Sequence, residues 1–264
     1  MIIRNDASSH SYCALLGRRQ EAEDLLLPAR QAEEAFSRCF QNPVMHLITG
    51  RKSYKHNKTI RNMDEKHTLY FDLFRAHIEK HVHLEDSHLV YIKDRFLLKK
   101  VKRRSILLEP GTICRYEHFV VSGLFQSSIV DESGKTHTLN FPHENWWVSD
   151  FKSFNLKAPS IMSIEALEDS ILLEISRASL DELLANSPGF ATYFRILSEN
   201  ASIAANERII HQLSQTAEQR YELFCQKYGR LKDRLSQKRI ASFLGISPEY
   251  YNQIEKRRKT ENLI

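Results

Sequence analysis

The chain has 264 residues, 42% hydrophobic and 27% charged, with a formal net charge of +5, the proportions of an ordinary folded protein. No apolar run nears the roughly 20 residues of a membrane helix, and the first residues lack the basic start, apolar centre and small-residue cleavage site of a secretory signal, so a cytoplasmic protein without a membrane partner is expected. Cys13, Cys39, Cys114 and Cys225 lie far apart with no C-x-x-C pair, which argues against zinc ribbons and iron–sulfur clusters.

Residues 1–62 carry 10 Lys/Arg against 6 Asp/Glu and one amphipathic stretch, Arg19 to Phe40, broken by Pro28. They show no core pattern. They read as an N-terminal extension, disordered or the product of a mis-assigned start, with Met63 opening the folded part; the alternative is an appendage that orders on a partner. After Met63 an apolar helical stripe follows: Leu69, Leu73, Phe74, His77 and Ile78.

From Phe96 to Ile175 the period changes to two. Turn signals fall at Pro110-Gly111, Ser122-Gly123 and Ser133-Gly134, and "DESGK" reads as a hairpin loop. Many short strands at this spacing predict an antiparallel roll or sandwich. "SRASLDELLANSP" then predicts a short helix capped by Ser179. Ser187-Pro188 opens a longer helix to about Leu213, with Phe190, Phe194, Leu197, Ala201 and Ala204 on one stripe and Ile196, Ile203, Ile210 and Leu213 beside it. A helix apolar on more than one face needs two surfaces to bury it. One is its own roll, and the same helix of a second subunit is the simplest other.

The C-terminal stretch "LSQKRIASFLGISPEYYNQIEKRRK" predicts two short helices. Ser236 caps the first, on which Ile240, Ala241 and Leu244 share a face. Gly245 ends it where positive φ is needed, and Ile246 tucks into the turn. Ser247-Pro248 starts the second helix, whose inward positions are Tyr251 and Ile254. These seven positions have the pattern of a helix-turn-helix. From Gln215 onward there are 11 Lys/Arg against 6 Asp/Glu, whereas Met63 to Ser214 has 17 against 21. A basic end beside a slightly acidic body is the footprint of a phosphate-binding module.

A helix, a strand roll, a long helix and a helix-turn-helix, carrying "CRYEHFVVSGLF", "ENWWVSDF", "SIEALEDSILLEI", "FRILSENASIAANERI", "LSQTAEQRYELF" and "IASFLGISPEYYNQI", resemble the cyclic-AMP receptor protein/Fnr (Crp/Fnr) family of bacterial transcription regulators, in the form common in Bacteroidetes. The resemblance runs from about Met63 to the end. It implies an α+β fold: a cyclic-nucleotide-binding-like β-roll (jelly roll) sensor domain over 63–186, a dimerisation helix over 187–214 and a helix-turn-helix DNA-binding domain over 215–264. The expected protein is a homodimeric, non-enzymatic DNA-binding regulator, with double-stranded DNA and RNA polymerase as partners. The dimer seam is expected at Phe190, Phe194, Leu197, Ala201 and Ala204.

Cyclic-nucleotide binders of the family grip the ring phosphate with a Gly-Glu pair and a following Arg-Ser pair. Here "WWVSDFKSFNL" has no Gly-Glu, and the arginine's place falls near Ser160, with Lys157 the nearby cation. Cyclic AMP is therefore not expected, and no cofactor or metal is assigned. A different effector would meet Trp146, Trp147, Phe151 and Ser160, although the rings also suit a core. His67, His77, His81, His83, His88, His137 and His143 occur singly.

Ser236, Lys238, Ser247, Tyr250, Arg257 and Arg258 are placed to touch DNA phosphates. Glu249, Asn252, Gln253 and Lys256 are placed to reach bases. Close relatives carry Ser-Arg where this chain has Asn252-Gln253; Asn and Gln pair with adenine as Arg does with guanine, so a shifted operator preference is expected. Two alternatives remain. One is a cupin-like jelly-roll metalloenzyme, for which Glu117-His118, His137 and His143-Glu144 offer donors without a His-x-His pair. The other is a cyclic-nucleotide-binding signalling module that binds protein and not DNA.

Overall fold

The computed structural model describes residues 57–261, with side chains from His67 to Thr260. The expectation for residues 1–56 lies outside the described residues. Helix α1 (Asn57–Ile78) already includes Met63, so the helical element begins upstream of the expected boundary. Its inward face is Phe71, Phe74, His77 and Ile78, all buried, while Leu69 and Leu73 are half exposed. The apolar set at 71, 74 and 78 has helical i, i+3, i+4 spacing and wins over the expected stripe. Helix α2 (Asp86–Lys93) follows and buries Leu89 and Ile92.

Eight short strands then form two four-stranded antiparallel sheets: β1 (Leu97–Val101), β2 (Ile106–Leu108), β3 (Tyr116–Ser122), β4 (Phe125–Val130), β5 (Thr136–Asn140), β6 (Trp147–Val148), β7 (Ser163–Ala166) and β8 (Ser170–Ser176). The orders are β1-β8-β3-β6 and β2-β7-β4-β5. This is the expected α+β roll. The β4–β5 loop is fixed by Asp131, whose Oδ1 accepts from the Ser133 and Lys135 N–H groups at 2.9 and 3.0 Å while Gly134 turns the chain at φ 80°. At the β3–β4 turn Gly123 has φ 112°, and a Cβ there would stand 2.0 Å from Ser170 Oγ. Only glycine fits both the angle and the space.

Helix α3 (Phe151–Leu156) lies between β6 and β7 and is capped by Asp150, which accepts from Ser153 N–H at 3.0 Å. Helix α4 (Arg177–Asn186) is capped by Ser176, the last residue of β8, and not by Ser179. The cap must keep extended backbone angles, and those end at Ser176 (φ −73°, ψ 161°). Helix α5 (Pro188–Ser214) carries Pro188 at its first position. Tyr193 ties α1, the roll and α5 together: its hydroxyl meets His77 Nδ1 at 2.9 Å and accepts from Trp147 Nε1 at 3.1 Å. Burial lowers the His77 pKa to about 3, so the ring is neutral. Phe74, Phe96, Phe119, Phe190 and Trp147 pack around this centre.

Helix α6 (Ala217–Lys232), α7 (Gln237–Leu244) and α8 (Pro248–Glu261) complete the chain. No helix among the described residues is long and apolar enough to cross a membrane.

Candidate nucleic-acid interface

The C-terminal three helices are specified locally. Thr216 and Gln219 form a reciprocal capping box that starts α6. Ser236 caps α7 and accepts from Arg239 N–H. Gly245 ends it at φ 71°, and Ile246 N–H reaches back to Ala241 O at 3.0 Å. The Ser247 hydroxyl accepts from Tyr250 N–H at 3.1 Å at the start of α8. Ile240, Ala241, Leu244, Tyr251 and Ile254 are buried with Tyr221, Phe224 and Leu231 of α6; Ile246 and Tyr250 pack at the edge. Glu255, half-buried on the inner side of α8, pairs with Lys232 at 2.6 Å and accepts from the Tyr221 and Tyr251 hydroxyls, which pins α8 to α6.

The outer face of α8 is left open. Glu249, Asn252, Gln253, Lys256 and Arg257 are exposed, and their spacing puts the first four along one side of the helix. Ser236, Lys238 and Ser247, at the starts of α7 and α8, are exposed as well. Two residues expected to meet phosphate are engaged within the protein: the Tyr250 hydroxyl donates to Glu218, and Arg258 is half-buried with its guanidinium 5.3 Å from the Tyr221 ring. Arg257 lies 3.8 Å from Glu218 and is held only loosely.

The seam between the three helices and the roll was invisible in the sequence. Arg234, in the α6–α7 turn, donates to Glu144 Oε2 and Oε1 at 2.9 and 3.0 Å and to Glu168 Oε1 and Oε2 at 2.9 and 2.6 Å. Such two-pronged pairing raises the Arg234 pKa further above its ordinary value. Arg239 of α7 pairs with Glu165 of β7 at 3.1 Å. The Ser242 hydroxyl donates to Thr136 O at 2.8 Å and accepts from Thr138 N–H at 3.0 Å, against β5. Arg208 of α5 donates to Thr138 O and Phe243 O at 2.9 and 3.2 Å and stacks on the Phe243 ring. These partners stand 35 to 106 residues apart in sequence, and no local pattern announces them.

The expected effector pocket does not assemble. Trp147 is in the helix–roll core against Phe74 and Phe119. Trp146 packs on His143 and Tyr228, and Phe151 is 59% exposed. Trp146, just before β6, and Trp147, its first residue, therefore belong to different clusters. Ser160 is buried and donates to Asp150 Oδ2 at 2.7 Å while accepting from Met162 N–H at 2.9 Å. Ser160 is thus tied to a buried carboxylate and not open to a ligand.

The expected dimer stripe also needs correction. Phe190 is fully buried in the subunit's own core, and Phe194 and Leu197 are partly buried against it. What α5 leaves exposed is Ala201, Ile203, Ile209, Ile210 and Leu213. The donors weighed for a metalloenzyme are engaged separately: His118 with Val148 O and Glu174, His137 with Asp131, and His143 with Phe141 O. No group of three or more His, Cys, Asp or Glu positioned for a metal occurs among the described residues.

The chain thus runs from a β-roll through a long helix to a three-helix C-terminal unit. The family description "Cyclic nucleotide-binding domain" matches residues 98–187. The fold is similar to that of the c-di-GMP-responsive global regulator CLP of Xanthomonas campestris, at 13% identity and a TM-score of 0.57, covering 68% of this chain and 94% of that one. FixK2 of Bradyrhizobium japonicum aligns at 15% identity and TM-score 0.56, over 63% of this chain and 86% of its own. A protein of Eubacterium rectale described as a Crp/Fnr-family transcriptional regulator aligns at 20% and 0.54, over 73% and 88%. No curated protein matches the sequence.

Proposed function

We propose that the chain is a sequence-specific DNA-binding transcription regulator of the Crp/Fnr kind, in the form common in Bacteroidetes. It acts as a homodimer in the cytoplasm, performs no catalysis of its own and reports to RNA polymerase. The carrying observation is the open row Glu249, Asn252, Gln253 and Lys256 on a helix whose opposite side is locked to α6 and α7. A rigid helix with an exposed polar row and a basic end fits the major groove, where Asn and Gln read adenine two-pronged. Ser236, Lys238, Ser247 and Arg257 take the phosphates on either side. Tyr250 and Arg258 join them only by leaving Glu218 and the Tyr221 ring.

The working units are the roll over 63–186, the dimerisation helix over 187–214 and the DNA-binding domain over 215–264. The dimer seam is assigned to Ala201, Ile203, Ile210 and Leu213, since Phe190 is consumed by the subunit's own core. Ile203 and Ile210 are a heptad apart, the repeat of a paired-helix seam. The Asp150–Ser160 pair argues against cyclic AMP: a ring phosphate would meet a buried carboxylate where the family places a cation. The test is an electrophoretic shift with enriched duplexes and excess non-specific competitor. A competitor-resistant complex supports the reading; binding that the competitor abolishes removes sequence-specific recognition from it.

A further inference from the structure

A second basic feature lies outside the α8 face. The β1–β2 turn, "KRRS" from Lys102 to Ser105, carries Arg103 and Arg104. Lys102 is neutralised by Asp169 at 2.8 Å. The guanidinium groups of Arg103 and Arg104 are exposed and form no hydrogen bond or ion pair among the described residues; the Arg103 backbone N–H donates to Asp169 Oδ1 at 2.8 Å, while its guanidinium acts on that carboxylate at longer range only. Arg104 stands at φ 69°, the left-handed region that favours glycine, and the turn is clamped by Arg104 N–H to Ala166 O at 2.7 Å and Ala166 N–H to Ser105 O at 2.9 Å. The fold therefore tolerates backbone strain while presenting an arginine there.

Arg103 and Arg104 line a cleft of about 200 Å³ together with Glu165 and Leu167 of the roll and Arg234, Ser236 and Arg239 of the C-terminal helices. Four guanidinium groups line one small space. Glu165 occupies Arg239, and Glu144 and Glu168 occupy Arg234, so the uncompensated charge is that of the turn. Guanidinium forks from the turn and from the C-terminal helices match the several oxygens of a phosphate chain. The volume suits one or two phosphate groups and not a whole nucleotide.

We propose that this cleft binds the oligophosphate end of a small phosphorylated molecule, bridging the β1–β2 turn to the start of α7. Arg103 and Arg104 supply the free charge, and the Ser236 hydroxyl supplies a donor at the rim. A DNA backbone phosphate is the same chemistry from another source, but a cleft of this volume suits a free chain end better than a duplex passing over it. Because the ligand joins roll to helix-turn-helix, its binding holds the seam that Arg234 and Arg239 already make.

The test is calorimetry on the full chain with inorganic pyrophosphate at constant ionic strength, alongside thermal melting. The expected result is saturable binding at one site per chain, with a raised melting temperature. Arg103→Ala with Arg104→Gly should weaken it at least tenfold. Glycine relaxes the turn at position 104, so the ligand-free melting temperature should hold or rise. Absence of saturable binding to the natural chain, or equal binding by the variant, would overturn the proposal. A duplex arm separates the sources: if the variant weakens binding to a duplex carrying flanking base pairs while pyrophosphate does not bind the natural chain, the cleft serves the DNA backbone and the free-ligand proposal fails.

Discussion

Gly123 and Gly245 both sit at positive φ but would answer an added methyl group differently. At Gly245 the nearest atom to a new Cβ is Gln212 Oε1 at 3.6 Å, ordinary contact, so Gly245→Ala meets only the left-handed backbone cost of roughly 1–2 kcal/mol. At Gly123 the Cβ would also press on the Ser170 side chain and backbone at 2.0 to 2.9 Å, and Gly123→Ala should cost roughly 2–5 kcal/mol. Thermal melting of the two variants should rank them in that order; equal losses would mean that the β3–β4 turn yields freely. Both glycines were legible as turns, but the clash at Ser170 was not, because it depends on a residue 47 positions away.

Glu117 is a second residue whose surroundings outweigh its local sequence. Burial raises its carboxyl pKa from 4.5 to about 7, against a hydrogen bond from Ser149 and the charge of Arg177. Its Oε1 has no hydrogen-bond partner. A folded-state pKa above the unfolded one means that folding favours the protonated acid. That stability is present below about pH 4.5 and is lost as pH rises through about 7. Glu117→Gln should remove this slope, so its melting temperature should gain on the natural chain between pH 5 and 8. Parallel pH profiles would show that Glu117 is charged in the fold.

Among the elements, the C-terminal helix pair α7–α8 was the most legible part. Its caps, its glycine and its apolar spacing act within a turn or two of each other, which is the range over which sequence pattern governs structure. Gln253 projects from the middle of α8 and is exposed. Gln253→Ala should cost roughly 1–3 kcal/mol and relax preference at one position of each half-site. Arg257→Ala should weaken all sequences alike and flatten the log–log salt slope by about one unit per half-site. Quantitative binding over a salt series separates the two; identical profiles would place the reading surface elsewhere. The long helix was less legible. Its apolar residues cover more than one face, and the sequence cannot tell which face its own roll takes. The roll takes Phe190 and Tyr193, leaving Ile203 and Ile210. Ile203→Glu with Ile210→Glu should give a monomer in sedimentation; a retained dimer would move the seam.

For the whole molecule, the roll's short strands and turns were read from alternation and glycines, whereas its contact with the C-terminal helices was not. Arg234 gave no local sign of its role, since Glu144 and Glu168 lie 90 and 66 residues before it. Arg234→Ala leaves those two carboxylates without their cation and should lower stability by roughly 1–3 kcal/mol. Arg234→Lys should recover only part of this, because an ammonium cannot grip two carboxylates in the fork geometry. Full recovery by lysine would show that charge alone holds the seam.

In the proposed function, two copies of this chain read two DNA half-sites through α8. Selection of bound duplexes from a random pool, with the complex sized by sedimentation, tests it most directly. The account predicts a two-fold symmetric motif, half-sites centred about one helical turn (roughly 34 Å) apart, and two chains per duplex. A pool that does not enrich, or a single half-site held by one chain, would contradict it.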